Sequence, residues 1–302
     1  MFSKIVKTSI FIVASATILV AGSFNAQAEK DRLALQHYML AKFKNPVANR
    51  AEYFPYMPLH ILKTQYAKNL KLSDFLLGSY AYDLDARKQY TELNEFPPYV
   101  FNVSHGEKLY NTKFKNGKSF KDCFPNPAIK GNYPYFDTKK GEVITIGLAI
   151  NECRVKNGEK PWKYGKGKLA DLDGYFAFKS RGQVLNVTIP NAAAEKAYNA
   201  GKKYYYSQRG SLKMSCATCH VQGAGNKLRA ESLSPLLGQY NHFPVYRLKW
   251  QALGTMQRRF KGCNKNQGEQ PQKLQSKDYR DLEYFLAYMS NGLKLDGPDI
   301  RK

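Results

Sequence analysis

Residues Cys216-Ala217-Thr218-Cys219-His220 form a Cys-x-x-Cys-His run, the attachment signature of a c-type haem. Two thiols at this spacing form thioethers with the two vinyl groups of one porphyrin. The histidine that follows is placed as the proximal iron ligand. A zinc-binding or redox-active Cys pair that happens to precede a histidine is the competing reading. All five positions must coincide, however, and the chain has only five cysteines and five histidines. One covalently attached haem c is therefore expected, held by Cys216 and Cys219 with His220 on the iron.

The surroundings of the motif read as helical. Ala193–Tyr206, rich in alanine, lysine and tyrosine, forms a candidate helix just before it. Near the end of the chain Tyr279, Leu282, Phe285, Leu286 and Met289 recur at three- and four-residue steps, which gives one apolar helix face. Ser276 is the expected N-cap and Gly292 the expected C-cap. Helix, haem motif, loop and terminal helix is the order of class I cytochromes c, which this part of the chain resembles.

The chain also repeats itself. Tyr133–Gly182 laid without a gap on Phe243–Gly292, a shift of 110 positions, gives thirteen identities in fifty. Pro134 meets Pro244, Cys153 meets Cys263, and Gly158-Glu159 meets Gly268-Glu269. The fold expected is mainly α: two tandem class I cytochrome c-like domains, the first without haem, plus an N-terminal extension. Domain limits follow as 29–95 for an extension packing on the first domain, 96–185 for the haemless domain and 186–302 for the haem-binding one. Within the extension, helical stretches are expected around Arg32–Phe43 and Ser73–Leu84, separated by a Pro-rich stretch near Phe54–Pro58.

The two halves diverge where chemistry would occur. In the first, the motif has decayed to Cys123-Phe124-Pro125-Asn126-Pro127, with neither second cysteine nor histidine. Cys123 and Cys153 are left at positions that would face each other across an iron, so a Cys123–Cys153 disulfide is expected in an exported protein; two free thiols are the alternative. Cys263 then stands alone, 43 residues after His220. This region supplies the distal ligand in class I cytochromes, most often methionine. Met256 and Met289 are the local methionines; Met289 reads as core, and Met256 competes with Cys263. An unpaired cysteine in an oxidising compartment is a liability unless protected or used. Iron would protect it and hold it as the thiolate, so Cys263 is the favoured distal ligand. Thiolate ligation would also lower the haem potential relative to methionine.

The N-terminus agrees with export. Lys4 and Lys7, an apolar stretch from Ile10 to Ala21, and Ala26-Gln27-Ala28 make a secretory signal, with cleavage expected after about Ala28 and a periplasmic destination. The apolar stretch is too short for a comfortable membrane span, and no span is expected in the mature chain. The full chain carries 47 basic and 24 acidic residues. Such an excess attracts anions or acidic surfaces. The basic residues are scattered rather than blocked, so a small anionic substrate or an acidic partner protein is expected and nucleic acid is not. His37, His60, His105 and His242 form no metal-binding pattern and read as structural or exposed.

Five stretches resemble the SoxA family, the haem-bearing subunits of SoxAX cytochrome complexes: Ser211–Ser215 running into the haem motif, Phe243–Trp250, Arg259-Phe260-x-Gly262-Cys263, Asn151-x-Cys153-Arg154 and Leu282–Phe285. The resemblance covers most of the mature chain. It implies an L-cysteine S-thiosulfotransferase that couples thiosulfate to a cysteine of the carrier SoxYZ. Two electrons would pass to SoxX, the heterodimer partner, and on to a soluble cytochrome. It implies that Cys263 is both distal iron ligand and catalytic sulfur, as a persulfide, and that Arg259 binds substrate. The missing first motif places the chain with the monohaem branch, in which a disulfide replaces the other haem. Arg247 is a further candidate for substrate binding: in the haemless repeat Asp137 lies opposite it, and Ala149 lies opposite Arg259. Rival readings are a thiosulfate dehydrogenase forming tetrathionate and a plain electron-transfer cytochrome.

Overall fold

A computed structural model describes residues 11–301, with side chains from Phe24 onward. Residues 1–10 of the expected signal, with Lys4, Lys7 and Ile10, lie outside the described residues. Helix α1 (Phe11–Lys44) runs through the expected cleavage point. Two short helices follow, α2 (Arg50–Tyr53) and α3 (Leu59–Thr64), on either side of the Pro55–Pro58 stretch. A 3-10 segment, Leu72–Ala81, is broken by Gly78 at a left-handed φ of 61°. Asp83 then accepts the Ala86 N–H and starts α4 (Leu84–Glu95). The stretch Ser73–Leu84 is thus no α-helix. The glycine interrupts it, and the favourable N-cap aspartate opens the α-helix where that stretch ends.

The first repeat comprises α5 (Tyr99–Asn111), α6 (Phe120–Cys123), strands β1 (Tyr135–Asp137) and β2 (Glu142–Ile144), α7 (Ile146–Lys156) and α8 (Lys168–Lys179). The second comprises α9 (Ala192–Tyr206), a π-helical turn at Thr218–Gln222, the hairpin β3 (Lys227–Leu228) and β4 (Glu231–Ser232), β5 (Val245–Arg247), β6 (Ala252–Gly254), α10 (Met256–Asn266) and α11 (Lys277–Met289). A final strand, β7 (Asp299–Arg301), pairs parallel with β5.

The duplication is structural. Tyr135 faces Ile144 in the first hairpin, and Val245 faces Gly254 in the second, with the other two pairs also displaced by 110. Helices α7 and α10 have the same displaced limits. The bonds before Pro134 and Pro244 are both cis. Each half also crosses two helices at a glycine: a Cβ on Gly106 of α5 would lie 2.2 Å from the Asp171 carbonyl oxygen of α8, and one on Gly201 of α9 would lie 2.1 Å from that of Asp281 of α11. Helix α11 starts as expected, with Ser276 accepting the Tyr279 N–H. It ends with Ser290 in the cap position, and Gly292 lies two residues further on at φ 84°.

The extension packs mainly on the second half, while Tyr90 and Leu93 of α4 also pack against a cluster holding Tyr99 and Ala170 of the first repeat. Leu35, Met39 and Phe43 of α1 share one buried cluster with Tyr198 of α9 and Phe285 and Tyr288 of α11. The cause is a match of apolar faces, reinforced by polar anchors. Lys42 is buried and donates to the Gln222 carbonyl at 2.7 Å, and burial brings its ammonium down to about 8. Tyr66 donates to the Gly225 carbonyl and Tyr82 to that of Leu233. The chain after the haem motif is therefore braced by the extension. Among the described residues no helix is long and apolar enough to cross a membrane.

Candidate haem site

The motif is set by local hydrogen bonds. Ser215 and Thr218 exchange bonds, the Ser215 N–H donating to Thr218 Oγ1 and the Thr218 N–H to Ser215 Oγ, each at 3.1 Å. This closes the chain around Cys216 and delivers Cys219 and His220 into the π turn. His220 Nδ1–H donates to the Ser234 carbonyl at 2.8 Å. That bond selects the tautomer whose Nε2 carries a lone pair, the form an iron ligand needs. The Leu236 N–H in turn donates to the His220 carbonyl at 2.7 Å.

Cys263 approaches His220 from α10. Arg259 lies four residues earlier on the same helix face. Burial pushes the Cys263 thiol up, but the Arg259 charge, the His220 bond and charge, and Arg247 outweigh it, leaving the group lowered to about 7. The attachment cysteines behave oppositely: burial pushes Cys216 up to about 12 and raises Cys219 as well. Two neutral thiols suited to thioether formation thus face one poised to ionise. Tyr205, fully buried, has its phenol raised well above the usual value, first by burial and then by the thiols of Cys216, Cys263 and Cys219 among other charges.

Met256 is buried at the start of α10 within the main core, and Met289 is buried on α11, where its sulfur accepts the Tyr198 hydroxyl at 3.5 Å. Arg247 lies in a cleft of about 180 Å³ shared with His220, Arg259, His242 and Arg301. Its guanidinium stands 3.9 Å from Glu231. Cys123 and Cys153 are disulfide-bonded in the other half.

The residues fit a haem. No residue of the Thr218–Gln222 turn is buried, so the face carrying Cys219 and His220 is open to a covering group. The donors there are two attachment thiols, one imidazole and one acidic thiol, which is the set a covalently attached, axially ligated iron porphyrin requires.

Sequence reasoning missed three contributors. Ser234 acts through its backbone carbonyl, which no side-chain pattern announces. His242 and Arg301 line the cleft, His242 buried and Arg301 partly buried. Extending the repeat alignment by one residue would have flagged His242, because Asn132 stands opposite it. Arg301 lies beyond the repeat.

The family model for the SoxA/TsdA cytochrome c domain matches residues 105–185 and 200–295. The L-cysteine S-thiosulfotransferase subunit SoxA of Chlorobaculum tepidum is 53% identical over 235 residues, covering 78% of this chain and 82% of that protein. The subunit of the same name from Allochromatium vinosum is 41% identical over 294 residues, covering 96% of each. A crystal structure of SoxXA from P. pantotrophus superposes with a TM-score of 0.66 at 31% identity, covering 71% of this chain and 84% of that one. Identity sustained over nearly the whole length, on the same pair of cytochrome domains, makes this chain a member of the SoxA family.

Proposed function

We propose that this chain is the haem-bearing subunit of an L-cysteine S-thiosulfotransferase, exported to the periplasm with residues 1–28 removed, paired with a SoxX subunit and acting on a SoxYZ carrier. One haem c per chain belongs to this reading, attached through Cys216 and Cys219, with His220 and Cys263 as its ligands. The names of the curated relatives and the SoxXA composition of the solved neighbour support it. The observation that carries it is Cys263, its thiol lowered to about 7 beside His220 and Arg259.

In the overall reaction an S–S bond forms between the carrier cysteine and the outer sulfur of thiosulfate. The S–H bond of the carrier thiol breaks, one proton is released, and two electrons leave toward SoxX and a soluble cytochrome. When bound, the haem supplies a one-electron acceptor next to the reacting sulfur. Cys263 presents that sulfur as an anion at neutral pH, and a persulfide on it would extend the reactive atom into the cleft. Arg259 offers planar paired donors to the oxygens of a dianion. Arg247 adds positive charge to the same cleft. The excess of basic residues draws thiosulfate and an acidic carrier surface inward.

The competing product is tetrathionate, formed from two thiosulfates without a carrier. Purified complex, thiosulfate and oxidised cytochrome c are incubated with and without SoxYZ, and both products are followed by mass spectrometry. The expected result is a thiosulfonate adduct on the carrier cysteine. Equal turnover to tetrathionate with no carrier would replace this reading with the dehydrogenase.

A further inference from the structure

Two buried polar atoms in the cleft beside His220 have no hydrogen-bond partner: Arg247 Nε and His242 Nδ1. His242 is 5% exposed and the Arg247 side chain 13%. Both line the same cleft as His220, on walls formed by β5, by the loop before it, and by Ser79 and Tyr80 of the extension. Arg301 completes the lining, with its guanidinium paired to Asp299. Glu231 is the acid nearest Arg247, at 3.9 Å, and its side chain is largely exposed.

Buried donors left without partners are unfavourable in any folded protein. A diffusible anion would restore their pairing only while bound and would abandon it after each turnover. An anion covalently tied to the protein would pair them permanently. The haem reading proposed above supplies such an anion, because haem c carries two propionate carboxylates that enter with the porphyrin. We propose that Arg247 Nε forms the seat of a haem propionate, so that Arg247 serves the cofactor while Arg259 serves the substrate. The proposal rests on the covalent-haem reading and divides the two arginines of the cleft between two anions.

The test uses the haem-loaded complex and reads the cofactor directly. Arg247→Gln should shift the propionate bending mode in the resonance Raman spectrum and lower the haem potential, since a buried positive charge near the iron is lost. Arg247→Lys should shift the Raman mode less, and this variant keeps the test informative if the glutamine variant folds poorly. Arg259→Gln should leave that mode in place and instead raise KM for thiosulfate. An unchanged mode in both Arg247 variants, together with a raised KM for thiosulfate, would overturn the assignment and return Arg247 to the substrate. A pyridine haemochrome measurement separates this failure from that of the underlying reading: with no covalent haem in the wild type, the haem reading itself falls.

Discussion

Cys153 and Cys263 stand on the same turn of the same helix in the two repeats, yet they have opposite fates. Cys153 is buried and tied to Cys123. Cys263 is a free thiol beside His220, poised near neutrality. Their surroundings differ in kind. Around the disulfide, aromatic rings fill the interior: Phe120 lies 5.0 Å from Phe114 and 5.3 Å from Trp162, and Phe124 lies 5.3 Å from Phe176, ring centre to ring centre. Around Cys263 no residue of the π turn is buried. A cytochrome-like domain without porphyrin must find apolar volume and a cross-link elsewhere, because close-packed interiors do not tolerate a void of that size. The first repeat finds both within its own side chains.

Charge follows the same division. Arg259 corresponds to the buried Ala149, and Arg247 corresponds to Asp137, whose carboxylate caps its hairpin turn through the Lys139 and Lys140 N–H groups. The scaffold is duplicated, but the two arginines are not.

The largest test of this contrast is Cys263→Ala. Covalent haem should persist, because attachment uses Cys216, Cys219 and His220. The thiolate-type low-spin spectrum should vanish, and carrier-dependent coupling should fall by roughly a thousandfold or more, about 4 kcal/mol in transition-state terms. An unchanged spectrum with full coupling would move the distal ligand to Met256 or another residue.

Cys153→Ala, the equivalent change in the other half, should do the reverse. Haem spectrum and coupling should survive, while removal of a cross-link spanning 30 residues should lower unfolding free energy by about 3–4 kcal/mol in denaturant titrations. If coupling collapsed instead, the first repeat would have a role in the chemistry.

Arg259→Ala should keep the thiolate spectrum and reduce kcat/KM for thiosulfate by about 10- to 100-fold, the value of a charge-assisted hydrogen bond. Steady-state kinetics against thiosulfate concentration would show it.

The shared helix crossings offer a matched pair. Gly106→Ala and Gly201→Ala each push a Cβ against a backbone carbonyl, so each should destabilise by about 1–3 kcal/mol. Only the second should perturb the haem spectrum, since α9 carries Tyr205 beside the three thiols. Equal spectra in both variants would deny α9 any influence on the site.

A last test concerns the equivalent buried acids Asp173 and Glu283. Asp173 pairs with Lys130 at 2.7 Å, whereas Glu283 takes the Gln257 amide at 2.9 Å. Burial pushes the Glu283 carboxyl up to about 7, against the pull of Lys130 and Gln257. Above its unfolded value near 4.5, the folded protein retains a proton that the unfolded chain has released. This group's contribution to stability is therefore complete below about 4.5 and declines as pH rises to about 7. Glu283→Gln should remove about 2–3 kcal/mol of that decline, as measured by unfolding at pH 4.5 and 7.5. Parallel pH profiles for wild type and variant would show that Glu283 stays ionised.

Much of this contrast is legible without coordinates. The attachment motif, the 110-residue repeat, the Cys123–Cys153 pairing and the isolation of Cys263 depend on residue identities at set spacings, and the helices at Ala192–Tyr206 and Lys277–Met289 follow from periodicity and caps. Two things escaped. Gly106 and Gly201 are 95 positions apart, not 110, so the gapless alignment never brings them together. The extension's seat escaped too, because an apolar face at Leu35, Met39 and Phe43 predicts that it is buried but not which partner buries it.

By itself the sequence determined the Cys-x-x-Cys-His motif, the duplicated scaffold and the cysteine left without a partner, since these rest on residue identity and local backbone preference. Only the tertiary structure decided how the haem half is finished. The Ser234 carbonyl orients His220, Lys42 and Tyr82 brace the loop around it, and His242 and Arg247 line one cleft. Those contacts join residues far apart in the chain through backbone carbonyls and desolvated charge. Neither a carbonyl's direction nor the loss of water around a guanidinium is encoded in the identity of a single residue; both arise only once the chain has packed.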